Sequence, residues 1–509
     1  MSDTPEGNLY AAREPIFPRR VSGRFRTLKW WIMAVTLGIY YITPWLRWDR
    51  GPSLPDQAVL IDMANRRFYF FWIEIWPHEF YFVAGLLIMA GLGLFLFTSA
   101  LGRVWCGYAC PQTVWTDLFI LVERWVEGDR NARVRLWNAP WSATKVRLRV
   151  TKWLLWVLIG LATGGAWVFY FADAPTLLRD LVMFQAPAIA YSTVLILTAT
   201  TVLFGGFARE QVCIYMCPWP RIQGAMMDPD TLTVAYREWR GEPRGKGLRR
   251  RAEVATPDLR TTGPREGRAS PKIPMPGMPT GTGGPVGTEP GDCIDCNACV
   301  NVCPMGIDIR DGQQLACITC ALCIDACDEV MEKIGKPRGL IDYLALSDEP
   351  RERSGEPPRP VWHHVFRTRT ILYTALWSLI GVGLLWALFI RPEIDVTVAP
   401  VRNPQFVTLS DGSIRNTYDL RLRNKHGEDR PFRITVTGAP AVRAALEGSI
   451  YQNVDVPANQ TLLQRVYVTA PGGSESGQAD ATEIRFWIED LISGERVHAD
   501  SVFNGKGTE

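Results

Sequence analysis

Apolar runs of about twenty residues alternate with basic and Pro/Gly-rich stretches over the first three-quarters of the chain. The runs cover about 28–46, 79–100, 153–172, 187–207 and 370–390. Each is long enough to cross the hydrocarbon core of a bilayer. Trp30, Trp31, Tyr40, Tyr41 and Trp45 bracket the first run, as interfacial aromatics do. Gly85, Gly91 and Gly93 in the second suggest close helix packing. A single run of this kind also suits a buried soluble helix; five together predict five transmembrane helices.

From Ile394 the period changes to two. Strands are expected at Ile394–Ala399, Phe406–Leu409, Thr417–Arg423, Phe432–Thr437, Leu462–Val468, Glu483–Glu489 and Val497–Phe503. Turn residues separate them, among them Asp411-Gly412 and Ser493-Gly494. Short strands at regular spacing predict an all-β sandwich over 394–509. The region holds no cysteine and no catalytic constellation, so it reads as a docking module or a structural end piece.

Charge sets the sidedness. The net charge of +3 implies no global electrostatic partner and no nucleic acid. Lys and Arg crowd into 103–152 and into the stretch after residue 208, while 172–186 carries only Arg179. By the positive-inside rule the basic amino terminus (1–27), the 101–152 loop and 208–369 face the cytoplasm. Loops 47–77 and 172–186 then face outward, as does everything beyond about Arg391. Loop 47–77 carries Arg47, Arg50, Arg66 and Arg67 and is a mild exception. The start of the chain lacks the apolar core and cleavage site of a signal peptide. Between Glu238 and Gly291 the composition is rich in Pro, Gly, Arg and Thr, which cannot bury a core. Residues 208–290 therefore read as a cytoplasmic segment ending in a tether, or a passive spacer, ahead of a domain over 291–345.

That domain carries the clearest chemistry. Of the twelve cysteines, eight form two consecutive runs, Cys293-x-x-Cys296-x-x-Cys299-x-x-x-Cys303-Pro304 and Cys317-x-x-Cys320-x-x-Cys323-x-x-x-Cys327. In ferredoxins of this spacing three thiolates wrap one [4Fe–4S] cubane and the fourth reaches the other. One cluster is assigned Cys293, Cys296, Cys299 and Cys327; the second takes Cys303, Cys317, Cys320 and Cys323. Structural zinc also suits four thiolates, but it uses two separated pairs rather than interlocked triplets. Asp328 stands where the bacterial pattern has a second proline.

The remaining cysteines form a repeat. Cys106-Gly107-Tyr108-Ala109-Cys110-Pro111 and Cys213-Ile214-Tyr215-Met216-Cys217-Pro218 each follow an even-numbered apolar run. On a helix, i and i+4 share a face, so each pair could chelate an ion. Each proline is expected to start a new helix, and the residues after Pro111 to form an interfacial one. Soft thiolates, with Met216, Met226 and Met227 nearby, favour Cu(I). A copper site, a dithiol/disulfide relay and a structural cysteine set all remain open. The five histidines lie outside the apolar runs, and Cys-x-x-Cys-His is absent, so haem is not expected.

These residues resemble the FixG-type cytochrome c oxidase accessory proteins (the CcoG/RdxA/FixG family). The resemblance runs from the basic amino terminus through Trp105-Cys106-Gly107-Tyr108-Ala109-Cys110-Pro111-Gln112-Thr113-Val114, the second cysteine pair, the double cluster run and the β end. It implies a five-helix membrane region, a bacterial-type 2[4Fe–4S] ferredoxin domain and an immunoglobulin-like β-sandwich. It also implies a bacterial inner-membrane protein, with the ferredoxin domain cytoplasmic and the carboxyl domain periplasmic. The implied activity is cupric reduction, Cu(II) to Cu(I), for assembly of the cbb3-type oxidase, with Cys106, Cys110, Cys213 and Cys217 as copper-handling thiols. Its partners would be oxidase assembly factors or a copper transporter or chaperone, and an electron donor the sequence does not name. A conduit between quinol and a respiratory partner, or a non-enzymatic scaffold for the oxidase, would use the same parts.

Overall fold

The structure is a computed structural model that describes residues 15–51, 54–245, 291–439 and 441–507. Among the described residues four helices are long and apolar enough to cross a membrane: Pro77–Leu101, Ala143–Val168, Ala188–Ala208 and Thr368–Ile390. They correspond to four of the five expected spans. The run expected over 28–46 also folds as a helix, Arg24–Ile42, but it does not join them. Arg24, Arg26 and Lys29 occupy its amino half, and a 3₁₀ turn at Thr43–Trp45 ends it early. Of the expected packing glycines, Gly85 meets Leu384 and Gly93 meets Trp377, while Gly91 faces open space.

The chain divides into two compact units. The first comprises Met1–Tyr41, Leu87–Val168 and Ala186–Ser378. Its centre is helix Pro111–Glu127, which stacks Phe119 on Trp156. This helix carries more than an apolar face. Val114 and Ile120 are buried in protein and Trp125 is exposed, while three carboxylates turn inward. Asp117 takes both oxygens to Arg26 at 2.9 and 2.8 Å. Glu123 pairs with Arg133 and Lys152 at 2.7 and 3.3 Å, and Glu127 with Arg149 and Lys152 at 3.1 and 3.0 Å. Buried charges demand such partners, which accounts for basic residues lying inside the fold.

The cluster domain begins earlier than its cysteines suggest. Strand Thr233–Tyr236 pairs antiparallel with Ile341–Leu344, with Val234 opposite Tyr343. The expected tether over 238–291 is thus an insertion within the domain. Its first residues form the helix Glu238–Gly241, and Arg240 bonds Asp292 at 2.6 Å across it. Residues 246–290, including the Pro/Gly-rich part, lie outside the described residues.

The second unit comprises Ile42–Leu86, Phe169–Gln185 and Leu379–Glu509. It contains a three-stranded sheet that the periodicity did not suggest, Val59–Asp62, Arg67–Phe70 and Ile73–Ile75. Its larger part is a sandwich of two antiparallel sheets. One orders Arg443–Leu446, Thr461–Ala470, Ile414–Asn424 and Ile394–Pro400, with Val407–Thr408 added beside Ile414–Asn424. The other orders Asn453–Val456, Arg430–Thr437, Thr482–Asp490 and Arg496–Phe503. Alternate residues face inward, so Tyr418, Leu420, Leu422, Phe432, Ile434, Val466 and Phe486 form a fully buried core. All seven expected strands lie on observed ones. Arg443–Leu446 and Asn453–Val456 were not expected; both are four-residue edge strands with little alternation to read.

Candidate functional site

Each three-cysteine loop is built on left-handed backbone on both sides of its middle cysteine. Asp295 and Asn297 have φ of 54° and 56°; Thr319 and Ala321 have 56° and 60°. Non-glycine residues adopt this region rarely. Alternating right- and left-handed backbone turns successive N–H groups into a concavity suited to an anionic centre. Asn297 and Ala321 then start helices Ala298–Val302 and Leu322–Lys333. The first helix stops at Cys303-Pro304. The second runs on through Cys327, and Asp328 accepts the Gly339 N–H at 2.9 Å.

Cys293, Cys296, Cys299 and Cys327 line one cavity with Tyr236, Met331 and Leu340. Cys303, Cys317, Cys320 and Cys323 line a second with Val234, Met305 and Ile307. The spacing expected these two sets, crossed fourth cysteine included. Cys299 borders both cavities. Thiols spread around an apolar cavity fit a cubane. Burial pushes Cys299 and Cys317 up to about 11 and Cys303 and Cys327 up to about 12, so a bound cluster displaces their protons.

The membrane-side pairs do not lie on continuous helices as expected. Cys106 sits in the helix Val104–Tyr108, but Cys110 is extended (φ −58°, ψ 129°) and caps Pro111–Glu127. Cys213 lies in the π-helical stretch Val212–Met216, and Cys217 is extended (φ −81°, ψ 121°). The reason is the proline after each second cysteine, which disfavours the α region for the residue before it. The expectation for the prolines themselves holds: Pro111 opens its helix and Pro218 caps Trp219–Met226. Wide π turns of the kind that follow Thr201 are frequent at functional sites.

The four thiols nevertheless gather within electrostatic reach of one another. Cys106 Sγ donates to Gln223 Oε1 at 3.1 Å, and the Gln223 amide donates to the Thr98 hydroxyl at 3.1 Å. Burial pushes Cys106 up to about 11 against the opposing pull of Arg103, and Cys213 up to about 12; Cys110 rises for the same cause. Of the three methionines, Met216 is exposed, while Met227 shares a cavity with Arg103 and Cys317.

The thiols pack directly on the second cluster loop. A β-carbon on Gly107 would lie 2.7 Å from the Ile318 carbonyl oxygen. Cys106, Ile318, Cys320 and Leu322 share one apolar cluster, with Cys213, Cys303 and Cys323 against it. Beside them Tyr108 is buried near Tyr343, whose hydroxyl donates to the Thr319 carbonyl at 3.0 Å. Asp325, between Cys323 and Cys327, accepts the N–H groups of Phe25 and Arg26 at 3.3 and 2.7 Å and so anchors helix Arg24–Ile42. Sequence reasoning missed Arg103, Gln223, Asp325 and Tyr343. None stands at a spacing tied to the cysteines, and only Arg103, three residues before Cys106, offered a signal.

Residues 384–506 match the family model for the IG-like fold at the C-terminal of FixG, and residues 208–270 and 285–346 match that for a 4Fe-4S dicluster domain. The chain is 66% identical over 505 residues to protein RdxB of Cereibacter sphaeroides, covering 99% of each chain. It is 62% identical over 482 residues to protein RdxA of the same organism (95% of each). To nitrogen fixation protein FixG of Rhizobium meliloti it is 52% identical over 530 residues, covering 98% of this chain and 94% of that one. The chain belongs to the FixG/RdxA/RdxB family. It is a FixG-type iron–sulfur protein. A third model, for a 4Fe-4S binding domain, matches residues 82–128. That stretch of this FixG-family chain holds only Cys106 and Cys110, two of the four thiolates that one such cluster takes.

Proposed function

We propose that this FixG-family protein reduces Cu(II) to Cu(I) at a membrane face, for delivery to a cbb3-type oxidase during its assembly. One observation carries the reading: the thiols of Cys106 and Cys213 lie in the apolar cluster that holds Cys303, Cys320 and Cys323. When bound, two [4Fe–4S] clusters supply one-electron transfer. Cys293, Cys296, Cys299 and Cys327 would hold one of them, and Cys303, Cys317, Cys320 and Cys323 the other. Cys106, Cys110, Cys213 and Cys217 take the copper ion as substrate. Thiolates prefer Cu(I), so the thiols favour the reduced product. Ile318 and Leu322 wall the junction with apolar surface. Each turnover consumes one electron from an external one-electron donor and leaves the thiols unchanged.

Helix Arg24–Ile42 counts as a fifth crossing in this reading. Its residues from Trp30 to Ile42 carry no charge, and Trp30, Trp31, Tyr40 and Tyr41 stand where interfacial aromatics would. On the positive-inside rule this reading has the cluster domain in the cytoplasm and the β-sandwich in the periplasm, where it would dock assembly partners.

The test is metal content of anaerobically purified protein, wild type beside the variant with Cys106, Cys110, Cys213 and Cys217 all changed to Ser. About eight irons in both, with copper in wild type only, is expected. Eight irons and copper in neither would reject copper as substrate and favour the dithiol relay.

A further inference from the structure

Arg103 stands at the junction of the two thiol groups. Its side chain is buried, 3% exposed, and donates to the Leu315 carbonyl. It lines a cavity with Met227, Thr233, Cys317 and Thr319. Its charge acts on Cys106 and Cys213 on one side and on Cys317 on the other. Among the described residues no carboxylate stands within ion-pair distance of it, and its Nε has no hydrogen-bond partner. A buried charge left this way is costly, so the site lacks an anion.

The other buried arginines of this unit have theirs. Arg26 holds Asp117 and Arg133 holds Glu123. The informative contrast is Arg310, which lines the other cysteine cavity. It bonds Asp295 at 2.7 Å and Asp308 at 2.6 Å, so two carboxylates neutralise it. Asp308 also acts on Cys299, and Asp328 on Cys327. One cysteine set therefore faces a cation balanced by acids. The other faces a cation with no carboxylate beside it among the described residues, balanced only by its own thiolates and those of Cys106 and Cys213. A four-thiolate cluster is anionic and becomes more so on reduction, and local charge sets its potential.

We propose that Arg103 is a positioning charge that makes the Cys303/Cys317/Cys320/Cys323 set the high-potential, electron-delivering end, and that the Cys293/Cys296/Cys299/Cys327 set is the low-potential, receiving end. The gradient stands on these residues alone; its use for copper rests on the reductase reading above. With both clusters bound, one electron from an external one-electron donor would enter at the Cys293 set and reach the Cys303 set, Cys299 bordering both cavities. It leaves to Cu(II), which becomes Cu(I), and no protein bond forms or breaks.

The experiment is an EPR-monitored redox titration of the full-length protein. Wild type is expected to show two resolved one-electron steps. Arg103→Gln should move the higher step down and leave the lower in place, with iron still at about eight, and Arg103→Lys should restore the higher step. No shift, an equal shift of both steps, or a shift of the lower step alone would overturn the proposal. A single unresolved step in wild type would also overturn it, whether or not Arg103→Gln holds its iron. A normal gradient that Cu(II) cannot discharge would sink the reductase reading and leave the role of Arg103 standing.

Discussion

A β-carbon added to Gly107 would lie 3.0 Å from the Cα of Cys320, so the membrane-side cysteine motif and the second cluster loop touch backbone to backbone. The same atom would lie 3.1 Å from the Cys320 amide nitrogen. No flexible side chain is available there to give way. Gly107→Ala is therefore expected to force the two segments apart, with an overpacking penalty of about 1–3 kcal/mol. A displacement near 1 Å can slow a geometry-dependent step about 100-fold. Stopped-flow oxidation of the reduced protein by Cu(II) should slow by that order while iron content stays at its wild-type value. An unchanged rate would show that electrons do not cross at this contact.

Glu123 gives a pH-dependent prediction. Burial alone would push its carboxyl up, but Arg209, Lys152 and Arg133 hold it down at about 2, against 4.5 when unfolded. A depressed folded value means stability that is fully present above about 4.5 and lost as pH falls toward 2. Glu123→Gln takes their carboxylate from Arg133 and Arg209 and leaves Lys152 with Glu127 alone, and should cost about 3–5 kcal/mol at pH 7. The gap in melting temperature between wild type and variant, followed by scanning fluorimetry of the metal-free protein, should be constant from pH 7 to 5 and narrow below that. A gap that widens in acid would assign the wrong partner network.

The β-sandwich should fail without disturbing the cluster domain. Phe486 is fully buried and packs edge-on to Tyr418, with ring centroids 5.0 Å apart. Phe486→Ala is expected to lower stability by about 3–5 kcal/mol. Tyr418→Phe removes the 2.8 Å hydrogen bond to the Val502 carbonyl and should cost about 1 kcal/mol. Both variants should retain wild-type iron, measured per chain. Loss of iron with either would mean that the carboxyl domain supports the clusters.

The sequence by itself determined the cysteine sets, the apolar runs and the strands of period two. These signals are local. Cluster spacing is set by how few residues can wrap a cubane, run length by bilayer thickness, and alternation by the pleat of a strand. Asp328 was legible as a departure from the pattern, but its bond to the Gly339 N–H was not. Only the tertiary structure decided the rest. The cysteine pairs read as single helix faces, yet Pro111 and Pro218 pull Cys110 and Cys217 out of helical backbone. The cluster domain read as starting at residue 291, yet Thr233–Tyr236 closes on Ile341–Leu344 across more than a hundred residues. Arg103 read as one more cytoplasmic charge. Its burial against the cluster loop, and the lack of a carboxylate beside it among the described residues, depend on residues far away in the chain, which no spacing rule can reach.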